Sequence, residues 1–296
     1  MDQAATLKEW KRYASFNIQD FDKVDNCCDK SRTSVLCFSS GKGGVGKTSI
    51  VTNLAFAVSQ LGKSVLIVDA DLGLANVDVM LGITPKYSIQ HLFSGQKSLS
   101  EIIMTGPGGI RLLPASSGIQ ELCNLDESEK LFLLNEFDNL DYPVDIMLID
   151  NAAGISDTVM YFNIAAQKRV IVLTPEPTSI TDAYALIKVL SQKYKVEEFF
   201  IVVNWANSKQ EAKKIFKQLT QVADKFLGFL SFHYLGYIPK DMSIPKSVRQ
   251  QRPALELFPD SKASQEIRQL AENILKIKSS SNDGNIKFFW KNLLRL

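Results

Sequence analysis

The chain has 296 residues, 45% of them hydrophobic and 22% charged, with 34 Lys and Arg against 32 Asp and Glu. This is the composition of an ordinary soluble α/β domain with tails, and a net charge of +2 leaves any basic partner surface local rather than chain-wide. Four cysteines without C-x-x-C spacing suit reduced thiols in the cytoplasm, two distant histidines give no zinc-ligand pattern, and no apolar run reaches the roughly 20 residues that span a bilayer.

Residues 1–33 are polar and irregular, and from 34 to 277 short β-branched runs alternate with helical patterns. Strands are predicted at 35–38, 65–69, 110–114, 145–150, 169–173, 200–203 and 234–238, several apolar almost throughout, as in strands buried on both faces. Apolar residues recur at helical spacing over 49–61, 128–140, 179–193, 209–226 and 263–277. The alternation predicts an α/β fold with a doubly wound, mostly parallel sheet flanked by helices. Residues 278–285 (KSSSNDGN) read as a polar linker. In 286–296 (IKFFWKNLLRL), Ile286, Phe289, Trp290, Leu293, Leu294 and Leu296 share one helical face, with Lys287, Lys291 and Arg295 beside it. Such a helix suits an anionic membrane surface; a last helix docked on the core is the rival reading.

The sharpest signal is GKGGVGKT at 41–48, which fits G-x-x-x-x-G-K-[ST] directly after a predicted strand and ahead of a predicted helix. Gly41, Gly43, Gly44 and Gly46 let the backbone N–H groups around Val45 close on phosphate oxygens, with the helix that begins near Ser49 adding its positive end. Lys47 is expected to meet the β- and γ-phosphates of ATP and Thr48 to hold Mg²⁺. Lys42 is a second lysine inside the loop, where an ordinary phosphate loop requires no charge.

KGGVGKT resembles the deviant phosphate loop of the MinD/ParA ATPases, and the similarity extends over about residues 34–277. The resemblance implies a nucleotide-sandwich homodimer in which Lys42 reaches the partner's phosphates, so that hydrolysis needs dimerisation. It also implies that Asp69 supports the Mg²⁺ shell and that Asp71 orients the attacking water. Asp150, ending the apolar run IMLID, resembles the second phosphate-site aspartate, although Asn151-Ala152 departs from the family's usual switch II pattern, in which a backbone N–H near Gly154 would sense the γ-phosphate. Asn204 matches the adenine-reading asparagine, with a strand-end cap as its alternative. Pro239 lies in the loop that covers the base, and Glu176 matches a glutamate that touches the partner's ribose.

Ala75 before Asn76, and the start Asp2-Gln3-Ala4-Ala5-Thr6-Leu7-Lys8, are similar to the FlhG (FleN) branch, which regulates flagellar number. That branch implies contact of residues 2–8 with the GTPase FlhF and stimulation of its activity, with Lys8 in place of the branch's arginine. It further implies flagellar switch-complex proteins as partners and leaves a transcription regulator open; the weak net charge disfavours direct nucleic-acid contact, and residues 286–296, doubled in an ATP dimer, suit ATP-dependent attachment to the inner face of the cell membrane. A MinD-type division-site regulator is the alternative. An iron–sulfur carrier of the same superfamily would need cluster-ligating cysteines at C-x-x-C spacing, which this sequence lacks. The expected organisation is a partner-binding segment (1–33), an ATPase domain (34–277), a linker (278–285) and a membrane-targeting helix (286–296).

Overall fold

The computed structural model describes residues 33–71, 76–114, 132–133, 135–137 and 139–277. The expectations for residues 1–32, 72–75 and 278–296 lie outside the described residues.

Eight strands form one sheet in the order β3-β4-β2-β5-β1-β6-β7-β8. They are β1 (Ser34–Ser40), β2 (Val65–Ala70), β3 (Met104–Thr105), β4 (Arg111–Leu113), β5 (Ile146–Ala153), β6 (Lys168–Leu173), β7 (Glu198–Ala206) and β8 (Ser231–Pro239). All neighbours run parallel except β3 and β4, which are antiparallel at one edge. The predicted doubly wound sheet is thus observed, with all seven predicted strands present and β3 added. The main helices are α1 (Lys47–Gln60), α5 (Asp157–Ala165), α6 (Pro177–Tyr194), α7 (Lys209–Leu227) and α10 (Lys262–Leu275); α2 (Val77–Leu81), α3 (Ile89–Phe93), α4 (Leu99–Ile102), α8 (Ser243–Arg249) and α9 (Ala254–Leu257) are short.

Side chains of β1 alternate between two apolar layers, as a strand's two-residue period requires. Leu36 and Phe38 pack with Leu54 of α1 and Ile267 and Leu270 of α10, whereas Val35 and Cys37 pack on the other face with Leu66 and Phe162. On that same second face, α6 and α7 cover β6 and β7 through Leu186, Ile187, Ile215 and Leu219. Burial on both sides explains why these strands read as continuous apolar runs. Among the described residues, no helix is long and apolar enough to cross a membrane.

The sequence runs outward from β1 to β2 and β4, returns through β5 beside β1, and continues on β1's other side with β6, β7 and β8. The order therefore reverses at β1. Open α/β sheets bind ligands outside the carboxyl ends of the strands at such a point.

Candidate nucleotide site

β1 ends at Ser40 and α1 begins at Lys47, so the glycine-rich segment 41–46 is the loop at the reversal point. A Cβ on Gly41 would stand 2.1 Å from the Asp182 carbonyl oxygen of α6, which leaves room only for glycine. Gly44 and Gly46 adopt φ of 77° and 84°, a left-handed conformation that disfavours L side chains. Gly46 is the N-cap of α1, and the helix has neither a side-chain cap nor an acidic residue in its first turn. Its first N–H groups and its positive end are thus presented to an anion. The loop is fixed from the β7 side, where Asn204 Nδ2 donates to Val45 O at 2.7 Å.

Below the loop, the Lys47 ammonium lies 3.4 Å from Asp150 Oδ1, with both side chains buried. Asp150 on β5 is the cross-strand neighbour of Asp69 on β2. Burial, reinforced by the Asp150 charge, pushes the Asp69 carboxyl up to about 7. Burial also raises Asp150, against the pull of the Lys47 ammonium and the Thr48 hydroxyl, while the charge of Asp71 adds to the rise. Asp69 Oδ1 accepts the Asp71 N–H at 3.1 Å, and its Oδ2 accepts those of Asn76 and Val77 at 3.3 Å each. Asp69 therefore holds the backbone of Asp71 on one side and of Asn76 and Val77 on the other, as well as facing Asp150.

Two buried oxygens here, Asp150 Oδ2 and Ser49 Oγ, have no hydrogen-bond partner among the described residues. Unpartnered buried oxygens are costly. A hard divalent cation and phosphate oxygens would supply what this oxygen-rich set of Thr48, Asp69 and Asp150 lacks, so the residues fit Mg²⁺ with a nucleotide.

The Asn151 departure has a structural reason. Its side chain is fully buried and donates to Val159 O at 3.0 Å and Ser39 Oγ at 3.2 Å, anchoring switch II to α5 and to the strand beneath the loop. Asn163 donates to the same Ser39 hydroxyl at 2.8 Å. Gly154, at φ 98°, donates its own N–H to Ser40 O at 2.8 Å, so in this conformation that group is already engaged.

Lys42 lies apart from Lys47. Its Nζ donates to Glu176 Oε2 at 2.8 Å and to the Thr178 hydroxyl at 3.0 Å, both at the exposed start of α6. The sequence thus named Lys42 and Glu176 separately and the fold joins them, whereas Thr178 went unnoticed because a threonine in a helix's first turn is unremarkable. Asn163 was missed too: DTVMYFNIA has no clear helical period, although Ser156 ahead of it caps Val159 N. Asn204 and Pro239 close the site at the ends of β7 and β8, where Ala206 pairs with Pro239. The Asn204 amide is nearly all buried, its Oδ1 accepting the Trp205 N–H at 3.0 Å.

A model of the CobQ/CobB/MinD/ParA nucleotide-binding domain matches residues 36–254. Antiactivator FleN of Pseudomonas aeruginosa is 42% identical over 262 residues, covering 88% of this chain and 93% of FleN. The flagellum site-determining protein YlxH of Helicobacter pylori is 34% identical over 271 residues, covering 90% and 92%. Among solved structures, the septum site-determining protein MinD complexed with Mg-ADP from Pyrococcus horikoshii superposes with a TM-score of 0.63 at 25% identity, covering 83% of this chain and 97% of that one. With the phosphate loop at the reversal point and a family match across most of the domain, the chain belongs to the CobQ/CobB/MinD/ParA nucleotide-binding family and is an ATPase of it.

Proposed function

We propose that the protein is an ATP-dependent dimerising switch that regulates flagellar number or placement. The carrying observation is the separation of its two loop lysines. Lys47 is buried against Asp150 in its own site, whereas Lys42 is exposed and held by Glu176 and Thr178. A lysine held outside its own phosphate site is positioned to serve a neighbour's, and an exposed pair worth about 1 kcal/mol or less gives way readily. In the dimer, Lys42 stabilises charge on the partner's phosphates and Glu176 meets the partner's ribose. Asp71 orients water, and Asp150 with Asp69 sets the field around Lys47 and Thr48. Mg²⁺, when bound by Thr48 with the support of Asp69, neutralises charge on the phosphate oxygens.

The flagellar assignment rests on the similarity to FleN and YlxH over about nine-tenths of each chain. Under it, residues 2–8 contact an FlhF-type GTPase and stimulate it, switch-complex proteins are further partners, and residues 286–296 attach the ATP dimer to the membrane. The experiment is FlhF GTPase turnover with the full chain and with a chain lacking residues 2–20. The full chain should accelerate it and the shortened chain should not, while the protein's own ATPase persists. Equal stimulation by both would refute the role of the amino terminus.

A further inference from the structure

Among the described residues, three non-glycine residues have positive φ: Lys195, Trp205 and Gln251. Lys195 is the C-cap of α6, an ordinary place for that conformation. Trp205, at φ 58°, is a bulky aromatic at the end of a strand, where the left-handed region is strained and persists only if its surroundings enforce it.

Those surroundings belong to the nucleotide site. The β7–β8 register breaks between Asn204, opposite Ile238, and Ala206, opposite Pro239, so Trp205 is the extra residue of a bulge. Bulges beside active sites re-aim a side chain. The Trp205 N–H is held by Asn204 Oδ1, and the same amide holds Val45 of the phosphate loop through Nδ2. One buried side chain thereby fixes both the loop and the backbone of the tryptophan. Asn204 is only 3% exposed, which leaves little of it to meet a base, whereas Trp205 is 45% exposed at the same strand end.

With phosphates on the loop, a nucleotide must lay its base over the carboxyl ends of neighbouring strands. On the Gly46 side the strand ends are those of β7 and β8, at Asn204 and Pro239. We infer that Trp205 is a base-stacking residue of this site, its indole forming a platform for the adenine ring, with Asn204 positioning the tryptophan and the loop together. The inference rests on the nucleotide-switch reading and adds to it the residue that binds the base.

The test is calorimetry of the full-length protein with Mg-ADP and, separately, with inorganic tripolyphosphate, which has no base. Trp205→Ala should weaken ADP about tenfold or more and leave tripolyphosphate unchanged, and Trp205→Phe should restore ADP binding to within about threefold. Trp205→Gly supplies a readout that a structural role would move the other way. It relieves the left-handed strain, so Tm should rise by about 2–4 °C while ADP binding falls as in the alanine variant. Unchanged ADP affinity in Trp205→Ala, or equal losses for ADP and tripolyphosphate, would overturn the assignment. Failure of the wild type to bind ADP would instead sink the nucleotide-switch reading on which it rests.

Discussion

Replacing Gly41 by alanine tests the placement of the phosphate loop directly. The added Cβ would stand 2.1 Å from the Asp182 carbonyl oxygen, whereas ordinary contact begins near 3.4 Å, so loop and helix must separate by about 1.3 Å. The obstacle is backbone of the 18-residue α6, which cannot swing aside as a side chain would. Overpacking of this kind costs about 1–3 kcal/mol, a fall in Tm of roughly 2–12 °C for a domain of this size. A loop displaced by about 1 Å also loses its geometry toward phosphate, which can reduce turnover on the order of 100-fold. The internal control is Gly43→Ala: a Cβ there meets nothing within 4 Å, and this glycine is absent from the positive-φ set. Thermal melts of the nucleotide-free proteins should show Gly43→Ala close to wild type and Gly41→Ala well below it. Equal melting temperatures would mean that the loop does not pack on α6 as described.

Asp69 predicts a pH dependence. Its carboxyl titrates near 7 in the folded protein against an ordinary 3.8, so the folded state binds the proton more tightly and stability falls as pH rises through about 7. For this group the loss between pH 6 and pH 8 is on the order of 1 kcal/mol, a few degrees in Tm, without nucleotide. Asp69→Asn should remove that component, and an identical pH response in the variant would refute the role of Asp69. At the other end of the chain, wild type should sediment with anionic vesicles in ATP and remain in solution in ADP, while a chain ending at Ser279 stays in solution throughout. Equal pelleting of the two chains would rule out the membrane role of residues 286–296.

What the sequence made legible were features whose chemistry is local. The central strands announced themselves as apolar runs, the edge strand β8 by its β-branched and aromatic residues, and the phosphate loop as glycines at fixed spacing before a lysine. β3 escaped because two residues, Met104 and Thr105, carry no period, and the four- and five-residue helices α2, α3, α4 and α9 escaped for the same reason. The predicted helix 128–140 lies partly outside the described residues; 132–133 and 135–137 are helical, whereas 139–140 are a turn and irregular chain, so the helix stops short of its predicted end. Contacts between distant segments were not legible: Lys42 with Thr178, Asn151 and Asn163 meeting at Ser39, and Asn204 reaching Val45 across 159 positions. No local pattern encodes a side chain's choice of a partner that the fold brings to it, and for that reason Trp205 passed unnoticed as one more residue after a strand.

The central claim is that Lys42 works across a dimer that ATP creates, and the solution mass by light scattering tests it most directly. Wild type with Mg-ATP should show about twice the 33.0 kDa mass of the chain and should return to one chain mass in ADP. Lys42→Ala should bind ATP with similar affinity, because Lys47 and the loop backbone are untouched, yet remain at one chain mass. A variant that doubles its mass in ATP as fully as wild type, or a wild type that never does, would contradict the account.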